Sequence, residues 1–165
     1  MTEIFVGVGS NVERERHIRS GLHALRDQFG DMRVSSVYES AAVGFHGSPF
    51  YNLVVVFHSD WPLRKLLTEL RAIEEVCGRD PAAPKFAPRP LDLDLLLYGD
   101  LVCNEDGLKL PRPDILLYGF TLKPLAELTP DRCHPLNGCS YAELWTSFDG
   151  EGRDLRVVAL DFANK

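Results

Sequence analysis

The chain has no long apolar run, no excess of positive charge, no paired cysteines and no phosphate-binding glycine loop, and each absence removes a class of protein. None of its 165 residues lies in an apolar stretch approaching the ~20 residues needed to span a bilayer. The segment MTEIFVGVGSN carries an acid where a signal peptide needs basic residues, and its apolar run is short, so a cytoplasmic location is expected. Lysine and arginine number 18 against 24 aspartates and glutamates, a formal charge of −6, which argues against a nucleic-acid binder with a basic face. A phosphate-bearing ligand stays open, because a local basic cluster or a bound metal outweighs net charge. Cys77, Cys103, Cys133 and Cys139 form no CxxC pair. A zinc site at Cys133, His134 and Cys139 lacks a fourth ligand, so reduced, structurally neutral thiols are expected. With no low-complexity tract, repeat or long linker, residues 1–165 read as one domain.

What is present is a regular alternation of strand and helix signals. EIFVGVGSN is an apolar strand running into a Gly-Ser-Asn turn. From Glu13 to Phe29, Ile18, Leu22, Leu25 and Phe29 recur at helical spacing, and Gly30 follows as a stop. MRVSSVYES reads as a second strand, AAVGFHGSP as a loop, and FYNLVVVFHS as a central β-branched strand. Asp60 and Pro62 open a second helix with a Leu63-Leu66-Leu67-Leu70-Ile73-Cys77 stripe, closed by Gly78. RDPAAPKFAPRP holds four prolines in twelve residues and excludes regular structure. A strand, RPLDLDLLLYGD, comes next. A hairpin around Asn104–Gly107, a Pro111–Pro113 segment, helices near Thr121–Leu128 and Tyr141–Phe148, and a strand at Leu155–Leu160 complete the chain. The order β-α-β-β-α-β implies an α+β sandwich on a mostly antiparallel sheet, and the short second loop favours antiparallel pairing there.

Asp92 and Asp94 are the anomaly. Aspartate is depleted in strands, yet two stand among leucines. Residues two apart share a face, so the carboxylates point the same way, roughly 6–7 Å apart, while Leu91, Leu93 and Leu95 take the other face. Such a pair repels unless it is solvated at an exposed edge or a cation sits between. Mg²⁺ commonly takes one or two carboxylates plus substrate phosphates. Arg89, three residues before Asp92, with Arg79 and Lys85 in the proline-rich loop, adds the positive charge that phosphoryl or pyrophosphoryl transfer needs. A plain surface ion pair between Arg89 and Asp92 is the simpler reading of that one contact.

These residues resemble the 6-hydroxymethyl-7,8-dihydropterin pyrophosphokinase family. RPLDLDLLLYGD is similar to its LDLD signature and FVGVGSN to its first strand and turn. SSVYES, FYNLVVVF, IEEVCGR and YGFTLKPLAEL follow in the family's order, so the likeness runs from about Ile4 to Leu128. The resemblance implies a monomeric ferredoxin-like fold that moves the β,γ-pyrophosphoryl group of ATP to the pterin's hydroxymethyl oxygen, leaving AMP. It implies that Asp92 and Asp94 hold two Mg²⁺ ions and that Arg79 and Arg89 serve catalysis. Glu74, Arg79, Lys85, Arg89, Leu95, Lys109 and Arg112 fall at or near ATP positions. Phe50 and Phe120 would sandwich the pterin, Asn52 read its edge, and Ser40 and Val43 contact it. Stacking suits a flat heterocycle, and an amide offers both donor and acceptor. ATP and the pterin are the expected partners, with neither nucleic acid nor membrane.

The chain departs from the family pattern at Ala41-Ala42, Pro81, Ala82, Phe86, Pro90 and Tyr118, and at Arg112, where the family carries a histidine. These changes rearrange the phosphate-facing charge. They motivate an alternative, a catalytically weakened paralogue that binds pterin or nucleotide. A polymerase-β-type nucleotidyltransferase also joins a Gly-Ser turn to DxD, but there the two lie close, whereas Ser10 and Asp92 are 82 residues apart. A DxD glycosyltransferase would be a larger, Rossmann-like chain. No general base presents itself; His46 is a loop histidine.

Overall fold

A computed structural model describes residues 1–41, 47–78, 80, 82–84 and 87–160. The strands are β1 (Thr2–Ser10), β2 (Met32–Val34), β3 (Val37–Ser40), β4 (Phe50–Ser59), β5 (Asp92–Tyr98), β6 (Cys103–Glu105), β7 (Leu108–Leu110) and β8 (Arg156–Val158). The helices are α1 (Arg14–Phe29), α2 (Leu63–Val76), α3 (Asp114–Leu117), α4 (Gly119–Leu128) and α5 (Tyr141–Thr146). The main sheet runs β5-β1-β4-β3-β8, with β2 also on β4, and every pairing is antiparallel. This is the α+β sandwich expected from the element order.

Periodicity decides which face each helix buries. Ile18, Leu22 and Leu25 of α1, and Leu66, Leu70 and Ile73 of α2, pack on the sheet face that carries Ile4, Val6, Val55, Phe57, Leu93 and Leu95. Each fully buried leucine contributes about 1.5–3 kcal/mol. On the opposite face, Phe5, Val54, Val56, Leu96 and Leu97 meet Ile115, Leu122, Leu125 and Tyr141 of α3, α4 and α5. At the Gly7–Gly9 end of β1 the sheet lines a cavity instead.

Three boundaries differ from expectation. MRVSSVYES is two strands, because the register on β4 slips by one residue between Val34↔Val55 and Tyr38↔Asn52. At the break the Ser35 N–H donates to the Val54 carbonyl, and the Ser35 hydroxyl accepts from the Val54 N–H, both at 2.9 Å, as in a bulge. Behind Pro113 the chain forms the short helix α3, and α4 starts at Gly119, so Phe120 lies on a helix rather than in a preceding loop. The hairpin appears as expected, turning through Asp106 and Gly107 at φ 53° and 78°, the left-handed pair that a tight hairpin favours.

Candidate active site

The register of β1 assembles the site. Its neighbour β5 sets Asp92 opposite Gly9 and Asp94 opposite Gly7, while β4 sets Asn52 opposite Gly9 and Val54 opposite Gly7. Cross-strand partners share a face, so both aspartates and Asn52 rise from the same side of the sheet across a glycine stripe. A Cβ on Gly9 would stand 3.0 Å from Asn52 Oδ1. The missing side chains therefore leave a floor of bare backbone between the carboxylates and the amide. Leu91, Leu93 and Leu95 point into the core on the other side, as the alternation predicts.

A cavity of about 350 Å³ stands on this floor, with Ser40, Phe50, Asn52, Tyr118 and Phe120 on its walls. The Asn52 amide donates from Nδ2 to Ser40 Oγ at 2.8 Å, which fixes the amide's orientation. Tyr51 points to the opposite face, under the Arg14 guanidinium at 3.8 Å. Phe120 stacks on Tyr118 with ring centres 5.0 Å apart and planes within 12°. A second cavity of about 560 Å³ adjoins, lined by Glu74 and Leu95 among others. Arg89, Asp92, Asp94 and Arg112 line both cavities and form their common wall.

The remaining expected residues divide. Glu74 is buried and accepts the Leu93 N–H at 2.7 Å, so it braces β5 as well as facing the second cavity. Leu95 is buried at 4% exposure yet touches that cavity. Lys109 is exposed on β7 and lines neither cavity; the hairpin alternation turns Leu108 inward instead. Val43, Arg79 and Lys85, like His46, Pro81 and Phe86, lie outside the described residues.

Charge on the common wall is crowded. Arg89 Nη1 is 3.3 Å from Asp92 Oδ2, so the simple ion pair does form, but on a cavity wall. Arg112 reaches Asp94 at 3.5 Å through Nη2 and Asp114 at 3.4 Å through Nε. Burial, and next the charge of Asp92, push the Asp94 carboxyl up to about 7. A third of its side-chain surface still opens to solvent, so it is a group on a pocket floor and not one sealed in the core. Among the described residues no group of three or more His, Cys, Asp or Glu side chains could hold a metal ion. The donor set still fits a hard divalent cation: two carboxylates share a face, repel each other, and leave coordination positions for phosphate oxygens.

Several contributors stand outside the expected site residues, although Gly7, Gly9 and Asn11 lie in the FVGVGSN motif. Asn11, of the Gly-Ser-Asn turn, accepts the Arg89 N–H on Oδ1 at 2.6 Å and donates its own N–H to the Arg89 carbonyl at 3.0 Å. That two-way clamp sets Arg89 beside Asp92. Gly7, Gly9 and Asp114 line the first cavity. Their roles depend on partners remote in sequence, although the strand pairing makes the glycines legible once β5 is placed beside β1.

Residues 5–130 match the family described as 7,8-dihydro-6-hydroxymethylpterin-pyrophosphokinase (HPPK). The 2-amino-4-hydroxy-6-hydroxymethyldihydropteridine pyrophosphokinase of Aquifex aeolicus is 33% identical over 138 residues, covering 82% of this chain and 86% of that protein. A folic acid synthesis protein of Pneumocystis carinii is 33% identical over 142 residues, covering 84% of this chain. This chain spans 19% of the Pneumocystis protein's length. Among solved structures, a Plasmodium falciparum HPPK-DHPS triple mutant with STZ-DHP has a TM-score of 0.74 and 13% identity over 89% of this chain and 43% of that one, which speaks to fold alone. The shared motifs, the match across most of the chain and the common fold lead to one conclusion: this chain belongs to the HPPK family.

Proposed function

We propose that the chain transfers the pyrophosphoryl group of ATP to 6-hydroxymethyl-7,8-dihydropterin in folate biosynthesis, acting as a single-domain, cytoplasmic monomer. The observation that carries this reading is the common wall: two cavities meet at Asp92, Asp94, Arg89 and Arg112. A pterin held between Phe50 and Phe120, its edge on Asn52, occupies the smaller cavity. The nucleotide lies in the larger one, its triphosphate reaching the wall. The hydroxymethyl oxygen attacks the β-phosphorus, the bond from that phosphorus to the α-bridging oxygen breaks, AMP departs and the hydroxyl proton is lost.

Asp92 and Asp94 would hold two Mg²⁺ ions, which neutralise the triphosphate and stabilise charge on the departing AMP. The chain's own work is positional. Ser40 keeps the Asn52 amide turned for the pterin edge, the glycine floor lets the ligand lie against backbone, and Asn11 holds Arg89 at the wall. Arg79 and Lys85 are assigned to the phosphates by family position, as are Glu74 and Leu95 to the nucleotide side.

The test is AMP formation by folded protein given ATP, Mg²⁺ and the pterin. AMP is expected only when the pterin is present, and chelation of the metal is expected to stop it. Asp94→Ala is expected to lower turnover roughly 100-fold or more, the scale of losing a main electrostatic stabiliser, with the fold retained. Tight pterin binding without AMP would instead identify a weakened paralogue, the reading that the altered phosphate-side residues favour.

A further inference from the structure

The guanidinium of Arg112 occupies ground that a metal would want. Its Nη2 lies 3.5 Å from Asp94 and its Nε 3.4 Å from Asp114. The Arg112 N–H donates to the Leu96 carbonyl at 3.0 Å, so the residue is pinned to β5 two positions beyond Asp94. Nε is buried and, despite its closeness to Asp114, makes no hydrogen bond. At that nitrogen the cation is therefore held by charge and not by a hydrogen bond. Among the described residues the wall sets Asp92 and Asp94 against Arg89 and Arg112, with Asp114 beside it in the smaller cavity.

We propose that Arg112 is a built-in counter-cation that keeps divalent metal out of the Asp92–Asp94 site until nucleotide arrives. This rests on the reading of the two aspartates as the metal-holding pair. With the cavity empty, the guanidinium neutralises Asp94 and repels a free divalent ion. A triphosphate in the larger cavity offers the guanidinium a new anion, and Arg112 already lines that cavity. Moving to the phosphates, it uncovers Asp94 for a metal that comes in with the nucleotide. Arginine suits this exchange because its planar fork pairs equally with carboxylate and phosphate. Arg112 is thus a positioning residue that couples metal binding to nucleotide binding, and reciprocity requires each to strengthen the other.

The test is Mn²⁺ binding, read by the electron paramagnetic signal of free Mn²⁺, with and without ATP and after subtracting the Mn²⁺ that ATP alone takes up, in wild-type protein and in Arg112→Met. Without nucleotide, Arg112→Met is expected to bind Mn²⁺ about tenfold more tightly than wild type, within the usual range of coupling between sites. The gain in Mn²⁺ affinity that ATP brings is expected to shrink correspondingly. Arg112→Lys, which keeps the charge, is expected to stay close to wild type. Should Arg112→Met not fold, Arg112→Leu is the second neutral, non-ligating variant and carries the same expectation. Equal nucleotide-free Mn²⁺ affinity in wild type and a folded neutral variant would overturn the proposal, while Mn²⁺ binding with ATP in wild type would leave the metal reading intact. No Mn²⁺ binding by wild type even with ATP would overturn both.

Discussion

At the scale of single residues, the most informative side chain is one that never meets the chemistry directly. Asn11 bonds Arg89 through both its side chain and its backbone, across 78 positions of sequence. Removing that amide leaves the partly buried Arg89 N–H unsatisfied, at a cost of about 1–3 kcal/mol. Asn11→Ala is therefore expected to lower the thermal midpoint and to lower kcat more than it raises KM for the pterin, because the guanidinium loses its fixed place beside Asp92. Thermal melts and steady-state kinetics check this, and an unchanged kcat would show that the clamp does not serve Arg89. The aspartates themselves were legible from sequence, since strand alternation alone puts Asp92 and Asp94 on one face and the leucines on the other. Asp114 was not, because only the return of the chain behind the hairpin carries it, together with Arg112, to Asp94.

Among elements, the outer edge of the sheet is tied by one carboxylate. Glu39 on β3 takes Arg14 of α1 at 2.8 Å and Arg156 of β8 at 2.6 Å. Those bonds, Arg156 first and Arg14 second, hold the Glu39 carboxyl below its ordinary value. A carboxyl lowered on folding adds stability above its unfolded value, near 4.5, and that contribution is lost as pH falls through the lower folded value. Wild type is thus expected to lose β8 pairing on the acid side of pH 4.5, read as hydrogen-exchange protection, relative to an unstructured amide, at the β8 amides that bond β3. Glu39→Gln is expected to show low protection there already at neutral pH and little further loss on acidification. The elements were largely legible because the long helices α1 and α2 each carry a complete apolar stripe, whereas the four-residue α3 has none. The split between β2 and β3 was not, because a one-residue slip against β4 leaves the strand-like composition of MRVSSVYES untouched.

Taken as a whole molecule, the site depends on chain beyond the residues that mark the family. Glu151 accepts the Gly119 N–H at 2.7 Å, and a Cβ on Gly119 would stand 2.3 Å from the Gly152 carbonyl oxygen. Both atoms in that contact belong to backbone, so room for a side chain comes only at a cost. A Cβ on Gly152 would come within 2.8 Å of the Phe120 ring, so the tail crosses directly behind an aromatic wall of the smaller cavity. Gly119→Ala is expected to push the tail off α4, destabilise the fold by about 1–3 kcal/mol as an overpacked contact does, and raise KM for the pterin more than KM for ATP. Equal effects on both substrates would point to general loss of fold rather than to release of Phe120. Sequence alone could not announce this arrangement, because a glycine's closeness to another backbone leaves no periodic trace.

The pairing of β8 with β3 has a consequence for how the molecule is made. Strand β3 is synthesised early, and its outer edge stays open until the ribosome has added more than a hundred further residues. An open edge recruits other strands, so a nascent or prematurely ended chain is exposed to mispairing on the side next to Ser40. The folded protein covers that edge with three residues of β8, so the exposure lasts until those residues have been made.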